Sequence, residues 1–180
     1  GNIYTTGIFR GVADFDPSSS TYNLFSNGYY DVFVQKLDAS GNFIWAKSMG
    51  SNSSDYGNSI TVDGQGNVYT IGTYWHTVDF DPSVATTSKT AQIASGDGYI
   101  LKLDSSGAYQ DVFSFGGAGI YENYCKSITE DPSGNLYFAG EFMSTVDFDK
   151  GSGVSNLSSS GLLDVFVLKT NANLDFINCF

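Results

Sequence analysis

Gly1-Asn2-Ile3-Tyr4-Thr5-Thr6-Gly7 returns as Gly66-Asn67-Val68-Tyr69-Thr70-Ile71-Gly72 and again as Gly134-Asn135-Leu136-Tyr137-Phe138-Ala139-Gly140, at spacings of 65 and 68 residues. Self-similarity at such a period marks a chain made of stacked copies of one supersecondary unit, so it is read before any single element. Working outward, each closing glycine is followed seven residues later by an Asp-Phe-Asp: Asp14-Phe15-Asp16, Asp79-Phe80-Asp81 and Asp147-Phe148-Asp149. Then comes Asp31-Val32-Phe33-Val34-Gln35-Lys36-Leu37, echoed from Asp97 to Leu103 and from Asp164 to Thr170. The last element, Asn42-Phe43-Ile44-Trp45-Ala46-Lys47, is matched loosely from Ala108 to Phe113 and from Asp175 to Phe180. Three copies in one order exclude chance.

Each unit reads as four short strands, the first being Ser59-Ile60-Thr61-Val62, repeated at Ser127-Ile128-Thr129. Several strands carry apolar residues on both alternating faces, as Val32, Phe33 and Val34 do, which demands packing on two sides. Asp38-Ala39-Ser40-Gly41-Asn42, Asp63-Gly64-Gln65-Gly66-Asn67 and Asp131-Pro132-Ser133-Gly134-Asn135 place Asp first and Gly where a positive φ closes a bulged hairpin. The third copy has Asn171 and Leu174 where such a turn has Asp and Gly. The expected fold is all-β: about three four-stranded antiparallel repeats arranged as β-propeller blades, part of a larger propeller. Residues 1–180 read as one repeat-built domain. Residues 1–58 are a first repeat lacking its first strand, 59–126 a second, and 127–180 a third truncated in its last strand. Rings need about 4 to 8 blades, so the expected partners are other copies of the repeat in the same protein or a homo-oligomer.

Composition agrees. Twelve Tyr, fourteen Phe and two Trp supply the core, while 21 Gly against three Pro suit many strands joined by tight turns. The net charge of −11 repels phosphate backbones and anionic lipid, so neither nucleic acid nor membrane headgroups are expected partners. No apolar run of about 18 residues is present, and membrane insertion is not expected. The chain opens within a strand-like segment, without Met or a leader, and reads as a mature or excised piece of a longer protein. Cys125 and Cys179 have the spacing of neither a redox pair nor a metal clip; the favoured reading is two unpaired thiols, the alternative a disulfide.

Four stretches carry a family resemblance: residues 66–72, Val78-Asp79-Phe80-Asp81-Pro82, Asp31 through Lys47, and Asp55-Tyr56-Gly57-Asn58-Ser59-Ile60-Thr61-Val62-Asp63. Together they resemble the bacterial SBBP repeat, the seven-bladed β-propeller repeat, and the likeness extends over essentially the whole chain. The variant with Asp-Phe-Asp-Pro is similar to repeats in large secreted surface proteins of Bacteroidetes. Lys150 departs from that pattern, standing where the other copies have Pro17 and Pro82. The resemblance implies a fold and a secreted or cell-surface location; the family carries no assigned chemistry.

The residues themselves give little catalysis. His76 is the sole histidine, aligned with Gly11 and Ser144, and reads as a loop residue; Arg10 is the sole arginine, which rules out a three-arginine carboxylate clamp. Sixteen Asp with Glu122, Glu130 and Glu141 could pair for glycoside hydrolysis, but most Asp recur at equivalent positions, and a repeated position serves the repeat. No enzyme activity is expected. The best candidate site is the Asp-Phe-Asp element. In an extended segment both carboxylates share one face and the ring anchors the other, so Asp14, Asp16, Asp79, Asp81, Asp147 and Asp149 are the candidate ligands for Ca²⁺. The favoured alternative is structural: an Asp pairing with Lys36, Lys102 or Lys169, or accepting backbone N–H bonds. Tyr29-Tyr30 and Tyr74-Trp75 offer rings for sugar stacking or for packing between blades. The expected function is a structural or adhesive module, with glycan, peptide or surface-protein binding, with or without calcium, as the alternative.

Overall fold

The computed structural model describes residues 1–91, 96–117 and 123–180. Among them there is no helix, and so none long and apolar enough to cross a membrane. The first copy holds β1 (Ile3–Phe9), β2 (Val12–Asp14), β3 (Asn23–Phe25), β4 (Asp31–Leu37) and β5 (Phe43–Met49). The second holds β6 (Tyr56–Val62), β7 (Val68–Tyr74), β8 (Thr77–Asp79), β9 (Ser88–Thr90), β10 (Asp97–Leu103) and β11 (Tyr109–Phe115). The third repeats it as β12 (Tyr124–Glu130), β13 (Leu136–Phe142), β14 (Thr145–Asp147), β15 (Asn156–Ser158), β16 (Asp164–Thr170) and β17 (Phe176–Cys179). Hydrogen bonding joins these into sheets ordered β1-β4-β5, β6-β7-β10-β11 and β12-β13-β16-β17, all pairings antiparallel. These are the blades of a β-propeller, three strands in the first and four in each of the others.

Two features differ from the sequence expectation. The opening strand of a unit starts at Tyr56 and Tyr124, three residues earlier than the apolar pattern marks. A bulge explains it: pairing passes from Gly57↔Gly72 to Ser59↔Ile71 and from Cys125↔Gly140 to Ser127↔Ala139, which leaves Asn58 and Lys126 as the extra residues and reverses the in/out alternation. In addition, each unit carries a two-stranded arm, β2-β3, β8-β9 or β14-β15, between its second and third main strands. Three-residue strands are too short to show a period.

Burial follows the stack. In β10 every residue but Lys102 is buried, whereas β4 buries Val32, Val34 and Lys36 and leaves Phe33, Gln35 and Leu37 half-exposed. β16 has the opposite phase, burying Phe166, Leu168 and Thr170. Outer sheets are thus covered on one face and the middle sheet on both. One core, with Val34, Trp45, Val68, Tyr74 and Tyr99, fills the first junction; the other, with Tyr69, Ile71, Ile100, Phe138 and Phe166, fills the second. Gly72 is required by close approach, since a Cβ there would strike the Tyr56 carbonyl and the Tyr99 ring. Polar ties cross the junctions too. Thr6 and Thr70 share a hydroxyl bond of 3.1 Å, Asn58 Nδ2 donates to the Cys125 carbonyl at 2.8 Å, and Lys150 pairs with Asp111.

The turns carry the expected chemistry. Asp38 Oδ1 accepts the N–H groups of Ser40 and Asn42, and Asp63, Asp104 and Asp131 do the same in their own turns, each closed by a glycine with φ between 81° and 87°. In the third copy Asn171 Oδ1 takes over, receiving the N–H groups of Asn173 and Asp175, and Leu174 holds φ 61°. A left-handed leucine is strained by about 1–2 kcal/mol, but its side chain is buried in the second junction's core. Leu174→Ala, which keeps the strain and loses the packing, is expected to cost about 2–4 kcal/mol in urea unfolding. Leu174→Gly, which relieves the strain, should be the more stable variant by about 1 kcal/mol. The reverse order would show that the left-handed turn costs nothing there.

Candidate functional site

The Asp-Phe-Asp elements lie where each arm turns. Their rings are the anchors: Phe15, Phe80 and Phe148 pack on Phe33, Tyr99 and Phe166 of the third main strands at centroid distances of 4.9, 5.0 and 4.7 Å. The first carboxylate of each element folds back onto the loop. Asp14 Oδ1 accepts from the Asp16 and Tyr22 N–H groups at 3.0 and 2.8 Å, Asp79 Oδ1 from Asp81 and Thr87 at 3.1 and 2.8 Å, and Asp147 Oδ1 from Asp149 and Ser155 at 3.0 and 2.8 Å. The second carboxylate does likewise one step on, Asp16 to Ser18, Asp81 to Ser83 and Asp149 to Gly151. The N–H groups of Tyr22 and then Asp16 hold Asp14 below the ordinary carboxylate range. All six candidate ligands therefore commit one oxygen to main-chain donors. Among the described residues no group of three or more His, Cys, Asp or Glu is placed to hold a metal ion.

The repeat's lysines do not pair with these carboxylates. Lys36 and Lys102 reach instead to main-chain carbonyls of the following sheet, Ser105 and Ala172, each at 2.7 Å. His76 is exposed at φ 56°, and the aligned Gly11 and Ser144 share that conformation at 70° and 68°, so the position is a left-handed turn. Arg10 stacks over the Tyr29 ring at 3.9 Å. Cys125 and Cys179 are free; burial pushes both thiols up, Cys179 to about 11. Glu122 lies outside the described residues. Burial, with Asp63 and Asp131 nearby, pushes Glu130 up, and Glu141 pairs with Lys126 at 3.4 Å.

Two carboxylates buried at the first junction have no counterpart in the sequence reading. Burial pushes Asp31 up against the N–H groups of Asn27 and Gly28. It pushes Asp55 up against bonds from Ser51 and Trp75, and the charge of Asp31 adds to the rise. Asp55 ties two loops together, accepting from the Ser51 N–H at 2.6 Å and the Trp75 N–H at 2.9 Å; Asn123 holds the same place in the third copy, accepting from the Met143 N–H at 3.2 Å.

A groove of about 340 Å³ opens between the second and third sheets, lined by Tyr56, Asn58, Thr73, Trp75, Tyr124 and Lys126. Asn58 and Lys126 are the two bulge residues, so the irregularity that hides the strand start also aims these polar side chains at the groove. Tyr56 and Trp75 meet edge to face at 5.6 Å, and the aromatic line continues through Tyr30 to the exposed Tyr29. Of the rings singled out by sequence, Tyr29, Tyr30 and Trp75 belong to this surface line. Tyr74 belongs to the core, its hydroxyl sharing a bond with Ser114 at 2.9 Å. Tyr56, Asn58, Thr73, Tyr124 and Lys126 carry no motif that marks them in the sequence; the one signal is that Asn58 and Lys126 differ at one repeat position.

Because the first carboxylate of each element acts through one oxygen, Asp79→Asn is expected to leave urea stability nearly unchanged. Asp79→Ala should lose about 1–2 kcal/mol by stranding the Asp81 and Thr87 N–H groups. Equal losses for the two would place the value of Asp79 in its charge.

Residues 44–76 match the family described as SBBP, beta-propeller repeat, a stretch that runs from β5 through β6 and β7 to the turn at His76. Over 94% of its length the chain is 26% identical to an uncharacterized WD repeat-containing protein of Acanthamoeba polyphaga mimivirus, of which it covers 14%. The sheets and the matched repeat agree: this chain is a run of β-propeller blades.

Proposed function

We propose that the chain is a non-catalytic propeller module, a structural or adhesive part of a protein presented outside the cell. The observation that carries this reading is how the recurring polar residues are used. Turn aspartates cap their own hairpins, Asp-Phe-Asp carboxylates cap their own arms, and Lys36 and Lys102 tie one sheet to the next. Catalysis needs one asymmetric constellation of reactive groups, and residues occupied in every copy supply none. The extracellular placement is supported by the resemblance of the Asp-Phe-Asp-Pro variant to secreted surface proteins. In cells expressing the native protein, protease applied to intact cells is expected to remove the segment from immunoblots. Protection until lysis would overturn the placement.

The groove favours a second reading, glycan binding. Trp75 and Tyr56 offer ring faces to a sugar, with Asn58, Thr73 and Lys126 as polar neighbours. On a glycan array, Trp75→Ala is expected to lower any specific signal by about tenfold or more, with an unchanged circular dichroism spectrum. Chelator should leave the signal intact. A signal indifferent to Trp75→Ala would remove the groove from the reading, and one abolished by chelator would assign binding to a cation.

A further inference from the structure

The aromatic line that leaves the groove crosses all three sheets and meets a cation at each end. From the groove it passes Trp75, Tyr56 and Tyr30 to Tyr29 in steps of 5.6, 6.5 and 5.4 Å between ring centroids. Lys126 stands on the third sheet, at the groove's other wall, with its ammonium 4.4 Å from the centroid of Tyr124. At the far end Arg10, the sole arginine, covers the exposed ring of Tyr29. Exposure at Tyr29 is a property of the repeat position: the aligned Leu162 is 65% exposed although the second sheet precedes it.

Neither cation is held in a buried ion pair. Arg10 forms none among the described residues, and Lys126 meets Glu141 at 3.4 Å with side chains 51% and 38% exposed, a contact of little worth in water. No carboxylate lines the groove among the described residues. Asp31 and Asp55, chain neighbours of Tyr30 and Tyr56, are buried at the middle of the line and accept from main-chain N–H groups. A ligand carboxylate is thus favoured at the two ends and opposed between them. The net charge of −11 acts from farther off, and salt screens it beyond about 8 Å.

We propose that this surface binds a linear glycan in which uronic acids are separated by neutral sugars. Its neutral rings lie along Trp75, Tyr56, Tyr30 and Tyr29, and its carboxylates meet Lys126 at one end and Arg10 at the other. The inference rests on the glycan reading of the groove and adds the ligand's charge pattern and extent.

Isothermal titration with chelator present compares three probes. They are a hexasaccharide alternating glucuronic acid with N-acetylglucosamine, the same hexasaccharide methyl-esterified at its carboxyls, and a hexamer of galacturonic acid alone. The first is expected to bind about tenfold more tightly than either of the others. Lys126→Gln and Arg10→Gln should each lower its affinity by about tenfold and leave that of the ester unchanged. Glu141→Gln removes the competitor for Lys126 and should raise the affinity by about twofold. Lys89→Gln, on an arm, should change nothing. Arg10 and Lys126 are exposed, and circular dichroism checks that the variants fold. Equal affinity for the acid and its ester, lost in Trp75→Ala, overturns the proposal and keeps the glycan reading of the groove. Tighter binding of the galacturonic acid hexamer overturns the spacing of the carboxylates. Indifference to Lys126→Gln or Arg10→Gln overturns the proposal by placing the ligand elsewhere. Failure of all three probes to bind overturns it too, and a silent glycan array would then remove the groove reading with it.

Discussion

The middle sheet has no side that faces water. Tyr69, Ile71 and Ile100 load one of its faces and Val68, Tyr74, Tyr99 and Leu101 the other. Each such side chain is worth about 1.5–3 kcal/mol when removed from water, against a net stability of about 5–15 kcal/mol for a domain. A single sheet of this composition therefore has no stable form of its own, and a neighbour on each side is a condition of folding. The radial stack, the one-sided outer sheets and the arms anchored by aromatic rings all follow from that condition.

What the sequence disclosed was whatever repeats. Three heptads fixed the unit, and Asp with Gly at the hairpins marked the turns, because left-handed backbone and Asx bonding leave a residue signature. What it concealed was whatever breaks alternation or lies between copies. The bulges at Asn58 and Lys126 invert the pattern just where the first strand begins, so the apolar alternation marks a strand three residues too short. The arms are too brief to show a period. Lysines expected to seek carboxylates seek carbonyls of the next sheet, and no side-chain pattern announces a main-chain acceptor some seventy residues away.

The same contrast governs the acidic residues. A chain with a net charge of −11 invites a search for cations, yet its aspartates are largely turned inward on their own backbone. The Asn42 amide, followed by the Asn42 N–H, holds Asp38 low, and Asn135 does the same for Asp131. At the first junction Asp31 and Asp55 face the opposite pressure, burial, which the N–H groups of Asn27 and Gly28 oppose for Asp31 and those of Ser51 and Trp75 for Asp55. Replacement of Asp55 by Asn123 in the next copy keeps the acceptor and discards the charge, which identifies the hydrogen bond as the part the fold requires.

The joint between sheets is read from a carbonyl, and every residue has one. Ser105 and Ala172, each the second residue of its turn, share no side-chain chemistry, and both serve their junctions equally well. Mutation at that turn position is consequently silent for the joint, and a duplicated unit arrives already able to dock on whichever unit precedes it. A gene encoding such units can lengthen, shorten or recombine its array without first evolving matched pairs of interface residues, so copies are free to drift apart in their exposed loops while remaining interchangeable in the stack.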